Sequence, residues 1–216
     1  MKYTLAFTLF FFAAITGKAQ KTFSDGTLVY NISVETGSAE TQMADMFDGA
    51  TSTVYLKGAQ SRSEMVSGLG NEVTILDSKT GKGIILKDYS GQKLMITMTK
   101  EDWEKKNRKF EGITFELTGE TMVIAGYTCK KAVAKLQDGS SFIVYYTTEL
   151  NPINKDYDYQ FKKLPGLAMQ YELIAGKMKF RYTLSKINFD NVAASKFDIP
   201  KSGYRILTFE ETQNRR

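Results

Sequence analysis

An alternation of apolar and polar residues with a period of two constrains the fold of this chain most strongly. Residues 27–35, TLVYNISVE, place Leu28, Tyr30, Ile32 and Val34 on one face and polar side chains on the other. This alternation predicts a half-buried antiparallel strand. Ten further segments have a similar strand character: residues 52–58, 61–67, 71–78, 83–88, 93–99, 114–118, 127–136, 141–148, 167–174 and 178–189.

Short turn-like connectors separate many of these segments. Each of the following contains a glycine and fits a hairpin between consecutive strands: residues 57–60, 79–82, 89–92, 137–140 and 175–177. The chain has only 3 prolines, which leaves its strands largely free to pair. The pattern predicts a long antiparallel meander, which must curl or close to protect its edges.

Two segments have helical character. Residues 39–48, AETQMADMFD, place Met43, Met46 and Phe47 at i, i+3 and i+4, which predicts a helix with one apolar face. Residues 100–109, KEDWEKKNRK, are charged around Trp103 and predict a short surface helix at one sheet edge. The expected fold class is therefore mainly β (α+β), with a curved antiparallel sheet around one or two short helices.

The first twenty residues have the pattern of a secretory signal. An apolar run, residues 5–15, follows the positive charge of Lys2, and Gly17 and Ala19 are small residues in front of Gln20. The run is too short for a stable membrane span. An uncleaved N-terminal anchor is the alternative interpretation.

Two regions follow from this pattern. Residues 1–19 form the expected signal peptide, cleaved between Ala19 and Gln20, and residues 20–216 form one domain. We expect a periplasmic or secreted protein with no transmembrane span after cleavage.

The composition excludes several classes of chemistry. The chain has no histidine, which removes the usual general base, the Ser-His and Cys-His nucleophile pairs and the commonest zinc ligand. The net charge of +5 becomes +3 without Lys2 and Lys18, and the charges are interleaved, which argues against a nucleic-acid-binding protein. We therefore expect no catalytic residue, no metal site and no cofactor.

Cys129 is the only cysteine, so the chain has no internal disulfide. Its apolar strand context favours a buried, inert thiol. A reactive thiolate assisted by Lys130 and Lys131 is the alternative.

Several motifs resemble known families. Residues 124–132, IAGYTCKKA, and residues 163–168, KLPGLA, are similar to the GLPGLI family of secreted proteins from the Bacteroidota; in the second motif, Lys163 and Ala168 replace the family's Gly and Ile. The motif residues are Gly126, Tyr127, Cys129, Leu164, Pro165, Gly166 and Leu167. Residues 54–62 and 75–86 resemble the DUF4412 type of uncharacterised domain.

The closing segment FDIPKSGY, residues 197–204, resembles the end of the half-barrel domains of the lipoprotein carriers LolA and LppX. This resemblance implies a LolA-like half-barrel with an apolar hollow between sheet and helix. The hollow would be lined by Met43, Met46, Phe47, Tyr145, Leu167 and Met169.

Each candidate also has a purely structural interpretation. Methionines suit variable apolar ligands, but their spacing is equally typical of helix packing. Tyr145 belongs to an aromatic group, with Tyr146, Tyr157 and Tyr159, that suits a lipid headgroup or a carbohydrate, yet strand alternation also explains it. Pro165 and Gly166 form either a turn into the next strand or a gate for ligand.

Residues 156–158, Asp-Tyr-Asp, alternate carboxylates as some calcium sites do, although they lack the full loop signature and favour a solvated loop. The sequence leaves three functions open. The first is a non-enzymatic envelope protein that binds a lipid or another hydrophobic molecule. The second is an envelope protein that binds another protein and fills its own hollow. The third is a carboxylate-based hydrolase, which two facing acids in a cleft would support.

Overall fold

The computed structural model describes residues 20–37 and 43–213. The expected signal peptide, with Ala19, therefore lies outside the described residues, as do residues 39–42 of the expected first helix. The strands are β1 Lys21–Phe23, β2 Asp25–Glu35, β3 Thr51–Lys57, β4 Gln60–Ser67, β5 Gly70–Asp77, β6 Gly83–Tyr89, β7 Gln92–Met98, β8 Thr114–Ile124, β9 Tyr127–Lys135, β10 Ser141–Thr147, β11 Leu150–Pro152, β12 Leu167–Ala175, β13 Met178–Asn188 and β14 Arg205–Thr208. The α-helices are α1 Lys100–Asn107 and α2 Phe209–Gln213. Short 3-10 helices span Met43–Phe47, Arg108–Phe110, Lys155–Tyr157, Tyr159–Phe161 and Ala194–Phe197.

One sheet contains 12 of these strands, in the order β14-β7-β6-β5-β4-β3-β2-β13-β12-β10-β9-β8. Neighbours are antiparallel except for β14, which runs parallel to β7. Two meanders, β2 to β7 and β8 to β13, meet where β2 pairs with β13. The sheet is curved and unclosed, with few short helices, and the mainly β half-barrel prediction is confirmed.

Strand β2 illustrates how the alternation positions side chains. Leu28, Tyr30 and Ile32 are almost fully buried, while Val29 and Asn31 between them face the other side and are more exposed. The register places Val54 beside Leu28 and Leu184 beside Tyr30. We call the face that carries these apolar residues the inner face of the sheet.

The inner face carries the largest core and a smaller one. The largest lies on β2, β3, β9, β10, β12 and β13, and the smaller one joins Ile85, Ile96 and Met98 to Trp103 of α1. A third core covers the outer face, where Val192 and Phe197 pack on β5, β6 and β7. The chain thus covers parts of both faces of the sheet, which is typical of a sheet that buries its apolar surface on each side.

Helix α1 confirms the prediction of a short surface helix. A capping box starts it: the Asp102 backbone N–H donates to Thr99 Oγ1 at 3.2 Å, and the Thr99 backbone N–H donates to Asp102 Oδ2 at 2.9 Å. The helix packs against β7, next to the edge strand β14.

The described part of the segment 39–48 is a 3-10 helix, not the expected α-helix. The N–H of Asp48 donates to the carbonyl of Asp45, and that of Ala50 donates to that of Phe47, which are i to i+3 bonds. After Asp48, Gly49 adopts a φ of 74°, and a left-handed conformation of this kind ends the helical turn.

Candidate functional site

Two adjacent cavities open on the inner face, and we call them together the hollow. The larger lobe has a volume of about 1290 Å³ and the smaller lobe one of about 580 Å³. Lys106, Asn107 and Asp158 line both lobes, and together with Gln160, whose side chain donates to Asp158, they form the waist of the hollow. These volumes reach the size of sites that bind small molecules, roughly 300–1,000 Å³.

Apolar side chains from distant strands line the larger lobe, which is possible only because the sheet curls around it. They include Ile32, Phe47, Met65, Ile96, Phe180 and Leu207. Lys105 and Lys109, both exposed on or just after α1, add positive charge where the lobe meets solvent. The larger lobe therefore combines an apolar chamber with a cationic opening.

The smaller lobe is more polar. Its wall includes Ser61 and Ser63 of β4 and Thr74 of β5, which occupy inner-face positions. Trp103 of α1 also lines it, and the indole Nε1 is buried without a hydrogen-bond partner among the described residues. A buried donor of this kind usually has an acceptor.

Tyr182, which lines the larger lobe, packs against tyrosines of the largest core. The rings of Tyr171 and Tyr182 stack with their centroids 4.8 Å apart and their planes 6° apart. Tyr30 meets Tyr171 edge-on at 5.9 Å, and its hydroxyl donates to the carbonyl of Ala168 at 2.9 Å. Burial raises the pKa of Tyr182 to about 12, so this side chain of the larger lobe stays neutral at physiological pH.

Asp158 and Gln160 place two hydrogen-bond acceptors at the waist. Asp158 Oδ2 accepts from Gln160 Nε2 at 3.2 Å. Burial raises the pKa of Asp158 to about 6, although the side-chain and backbone hydrogen bonds from Gln160 oppose that rise. Gln160 is 6% exposed, and its Oε1 is buried and accepts no hydrogen bond within the described part of the chain.

Residues 150–166, which we call the plug, fill the other half of the inner face. Phe161 and Leu164 of the plug are almost fully buried in the largest core. The ring of Phe161 meets Tyr171 at 4.8 Å and Phe142 at 6.2 Å, both edge-on. The plug therefore occupies the space that a ligand would take on that side.

Polar contacts anchor the plug to the sheet and to itself. Asn154 Nδ2 donates to the carbonyl of Ala59 at 3.0 Å. Lys155 Nζ donates to the carbonyls of Leu164 at 3.0 Å and Gly166 at 3.3 Å, and burial lowers the pKa of Lys155. These bonds tie the start of the plug to its end.

The expected ligand-contacting residues separate into different environments. Phe47 lines the larger lobe and meets Phe180 edge-on at 5.9 Å. Met46 is 45% exposed and does not line either lobe. Met43 begins the 3-10 helix, and its side chain lies outside what the structure describes.

The remaining three lie away from the hollow. Leu167 and Met169 are fully buried in the largest core beneath the plug. Tyr145 pairs in register with Lys131 and Gln170, on the outer side of β10. Their role as ligand contacts stays a prediction, and among the expected residues whose side chains the structure describes, Phe47 alone lines the cavity.

The family-motif residues have structural roles. Ala125 and Gly126, with φ of 48° and 83°, form the turn between β8 and β9, where two positive φ angles favour glycine. Tyr127 is partly buried at the start of β9. Cys129 is buried, as the sequence favoured, and burial raises its pKa to about 11, which opposes a reactive thiolate.

The second motif directs the chain from the plug into β12. Leu164 is buried, Pro165 is exposed, and Leu167 begins β12. A Cβ at Gly166 would overlap the carbonyl oxygen of Thr147, so only glycine fits this crossing. The structure thus favours the turn interpretation of Pro165 and Gly166.

The carboxylates of residues 156–158 do not form a metal cluster. Asp156 Oδ1 pairs with Lys162 Nζ at 2.6 Å, while Asp158 binds Gln160. Among the described residues, no group of three or more His, Cys, Asp or Glu side chains could hold a metal ion. No described helix is long and apolar enough to cross a membrane.

Sequence reasoning missed two residues of the waist, Asp158 as a buried acid and Gln160 as its partner. The available signal was a carboxyl at Asp158 flanked by Tyr157, Tyr159 and Phe161, since aromatic neighbours predict desolvation. Trp103 was recognised as the apolar residue of a charged helix, but its contact with the hollow was not.

One family model, described as a domain of unknown function (DUF4412), matches residues 36–154, more than half of the chain. No curated protein matches. The match covers β3 to β11, which include most of the inner-face strands around the hollow.

Solved structures share the fold at low identity. A structure of PNGF-II is 12% identical over 89% of this chain, with a TM-score of 0.51, and this chain spans 33% of its length. An uncharacterized conserved protein from Thermus thermophilus is 10% identical over 86% of this chain and 91% of its own, also with a TM-score of 0.51. MucB is 10% identical over 82% of this chain and 58% of its own, and its TM-score of 0.42 is too low to support an inference.

Proposed function

We propose that this chain, which belongs to the DUF4412 family of unknown function, is a non-enzymatic exported envelope protein that binds a lipid or another hydrophobic molecule in its hollow. The larger lobe is the observation that carries the proposal. It leaves about 1290 Å³ beside apolar side chains of β2, β4, β7, β13 and β14. A self-filled core would leave only small voids there.

The lining explains how binding would be driven. Each methylene group buried against Ile32, Ile96 or Leu207 contributes about 0.8 kcal/mol. The cost of immobilising the ligand reduces the total. An acyl or alkyl chain fits this chemistry because it offers many methylene groups and needs no polar partner along its length.

Export is the second part of the proposal and is supported by the sequence of residues 1–19. The apolar run behind Lys2 and the small residues before Gln20 have the pattern of a signal peptide. The absence of a catalytic role is supported by a histidine-free chain in which Asp156, one of the three acids that line the smaller lobe, pairs with Lys162.

Native mass spectrometry of the protein purified gently from its own envelope, followed by lipid extraction, tests this function. We expect a reproducible excess mass that resolves to a lipid. A Leu94→Trp variant, which fills the larger lobe, should lose that mass, whereas Ile206→Trp on the outer face of β14 should keep it. A clean apo mass with no uptake of added lipids would overturn the proposal.

A second candidate function rests on the edge strand β8. This strand has 11 residues and exposes Leu117 and Val123, with 64% and 69% of their surface accessible. Such an edge can accept an extended segment of a partner protein through backbone hydrogen bonds. If this is the function, a copurifying partner should be lost with Leu117→Lys and retained with Leu94→Trp.

A further inference from the structure

The waist of the hollow contains buried acceptors that the protein does not use fully. Gln160 Oε1 is buried without a partner among the described residues, and Gln160 lines the larger lobe. Its Nε2 donates to Asp158, which fixes the amide so that the oxygen is left over. A buried unsatisfied acceptor costs more than a bonded one, so a ligand that donates to it is favoured.

We propose that the waist recognises a hydroxyl group, and that the bound hydrophobic molecule is an uncharged, hydroxyl-bearing amphiphile of the monoacylglycerol type. This inference rests on the proposed function and adds the chemical class of the ligand. Asp158 lines both lobes, and its carboxylate retains acceptor capacity beyond the bonds from Gln160. The two side chains thus present acceptors to the polar end of the ligand.

The charge of the hollow selects among possible donors. Both hydroxyl and ammonium groups donate hydrogen bonds, but the lining of the two lobes contains seven lysines and five carboxylates. The excess of positive charge disfavours an ammonium group. A carboxylate ligand would bring an acceptor against the acceptors of Asp158 and Gln160, so it is disfavoured at the waist.

Trp103 adds an independent observation in the smaller lobe. Its buried indole N–H has no acceptor in the described part of the chain. A glycerol-type headgroup offers hydroxyl donors, which suit the acceptor at Gln160 in the larger lobe, and uncharged oxygen acceptors, which suit the donor at Trp103 in the smaller lobe. A simple hydrocarbon offers neither.

The experiment uses the only tryptophan of the chain, Trp103, as an internal fluorescent reporter of the hollow. The purified protein is titrated with 1-monooleoylglycerol, methyl oleate, oleate and oleylamine, which share one acyl or alkyl chain length. We expect 1-monooleoylglycerol to bind about tenfold more tightly than methyl oleate, the value of one hydrogen bond to a buried partner. Equal affinities, or a preference for oleate or oleylamine, would overturn the inference.

Two variants test whether Gln160 causes the preference for 1-monooleoylglycerol over methyl oleate. Gln160→Met removes the unsatisfied acceptor at similar size, and we expect it to bind both uncharged ligands equally, with an unchanged circular dichroism spectrum as proof of folding. Gln170→Met is the matched control, because Gln170 bonds Thr183 on the outer face. An unchanged tenfold preference in Gln160→Met would contradict the assignment. If none of the four probes binds, the proposed function itself fails.

Discussion

The two halves of the inner face share one sheet but differ in what covers it. Over β10 and β12 the chain supplies its own cover, and the plug buries Phe161 and Leu164. Over β4 to β7 the inner face carries Ser61, Ser63 and Thr74 and leaves open space. The difference shows that a half-barrel can have a packed core at one end and an open chamber at the other.

The waist marks the boundary between these halves. Asp158 and Gln160 belong to the plug, yet both line the hollow. The same short segment therefore closes one half and supplies polar groups to the other. A change that loosens the plug should thus affect both stability and binding.

Gly166→Ala gives the largest expected effect. It would destabilise the plugged half, which is the half of the inner face that the plug covers. The added Cβ overlaps the carbonyl of Thr147, and we expect the free energy of unfolding to fall by about 3 kcal/mol. Gly139→Ala is the matched control, because Gly139 also has a positive φ but no neighbour within 4 Å, so about 1 kcal/mol should be lost. Urea unfolding followed by circular dichroism measures both changes in the free energy of unfolding. Equal losses for the two variants would mean that Gly166 does not lie tightly against the carbonyl of Thr147.

Substitution of one leucine in each half compares how tightly the two halves are packed. Leu164→Ala empties a fully packed site in the plugged half, and we expect a loss of about 3 kcal/mol. Leu94→Ala removes a partly exposed side chain that lines the larger lobe, and about 1 kcal/mol should be lost. Chemical denaturation separates the two values. Losses of similar size would indicate that the larger lobe is collapsed in solution.

Asp158→Asn tests the boundary through pH. The folded carboxyl keeps its proton up to a pKa of about 6, whereas the unfolded one releases it near 3.8, so the stability of the native protein falls as pH rises between these values. Asparagine does not ionise, so the variant does not lose stability in this way as pH rises. We therefore expect the variant to be more stable by ~2 kcal/mol at pH 7.5 and equally stable at pH 3.5, as measured by thermal unfolding. A constant difference at both values would contradict the raised pKa of Asp158.

Labelling of Cys129 gives the smallest expected effect and reports on the plugged half alone. Its buried thiol has a pKa raised to about 11, so almost no thiolate is present at pH 8. We expect iodoacetamide to leave the native protein unmodified and to add one group in urea, as measured by intact-mass spectrometry. Rapid labelling under native conditions would show that this half opens locally.

The length of each strand's apolar–polar alternation decides whether that strand can be predicted from the sequence. The long alternating strand β2 and the glycine hairpins were predicted because their signal is local. Strands β1, β11 and β14 were missed, since three or four residues cannot show a period of two. Their pairings, such as that of Arg205 with Leu94, depend on contacts between distant residues.

The candidate site was predicted less well for the same reason. Phe47 was identified from its local spacing and does line the hollow. Leu167 and Met169 carry the same apolar signal, but the plug covers them, and a pattern along one strand cannot reveal a cover formed by another segment. The importance of Gln160 depends on the missing hydrogen-bond partner of its Oε1, which only the three-dimensional structure shows.

The pairing of β2 with β13 also affects the speed of folding. These strands lie at the centre of the sheet, yet Leu28 and Ile187 are 159 positions apart in the chain and still form a register pair. High contact order slows folding, because the entropy of closing a long loop is lost before the contact forms. The largest core therefore cannot close until β13 is available. A nascent or partly translocated chain would expose the apolar inner faces of both meanders throughout that interval, which makes early aggregation its main kinetic hazard.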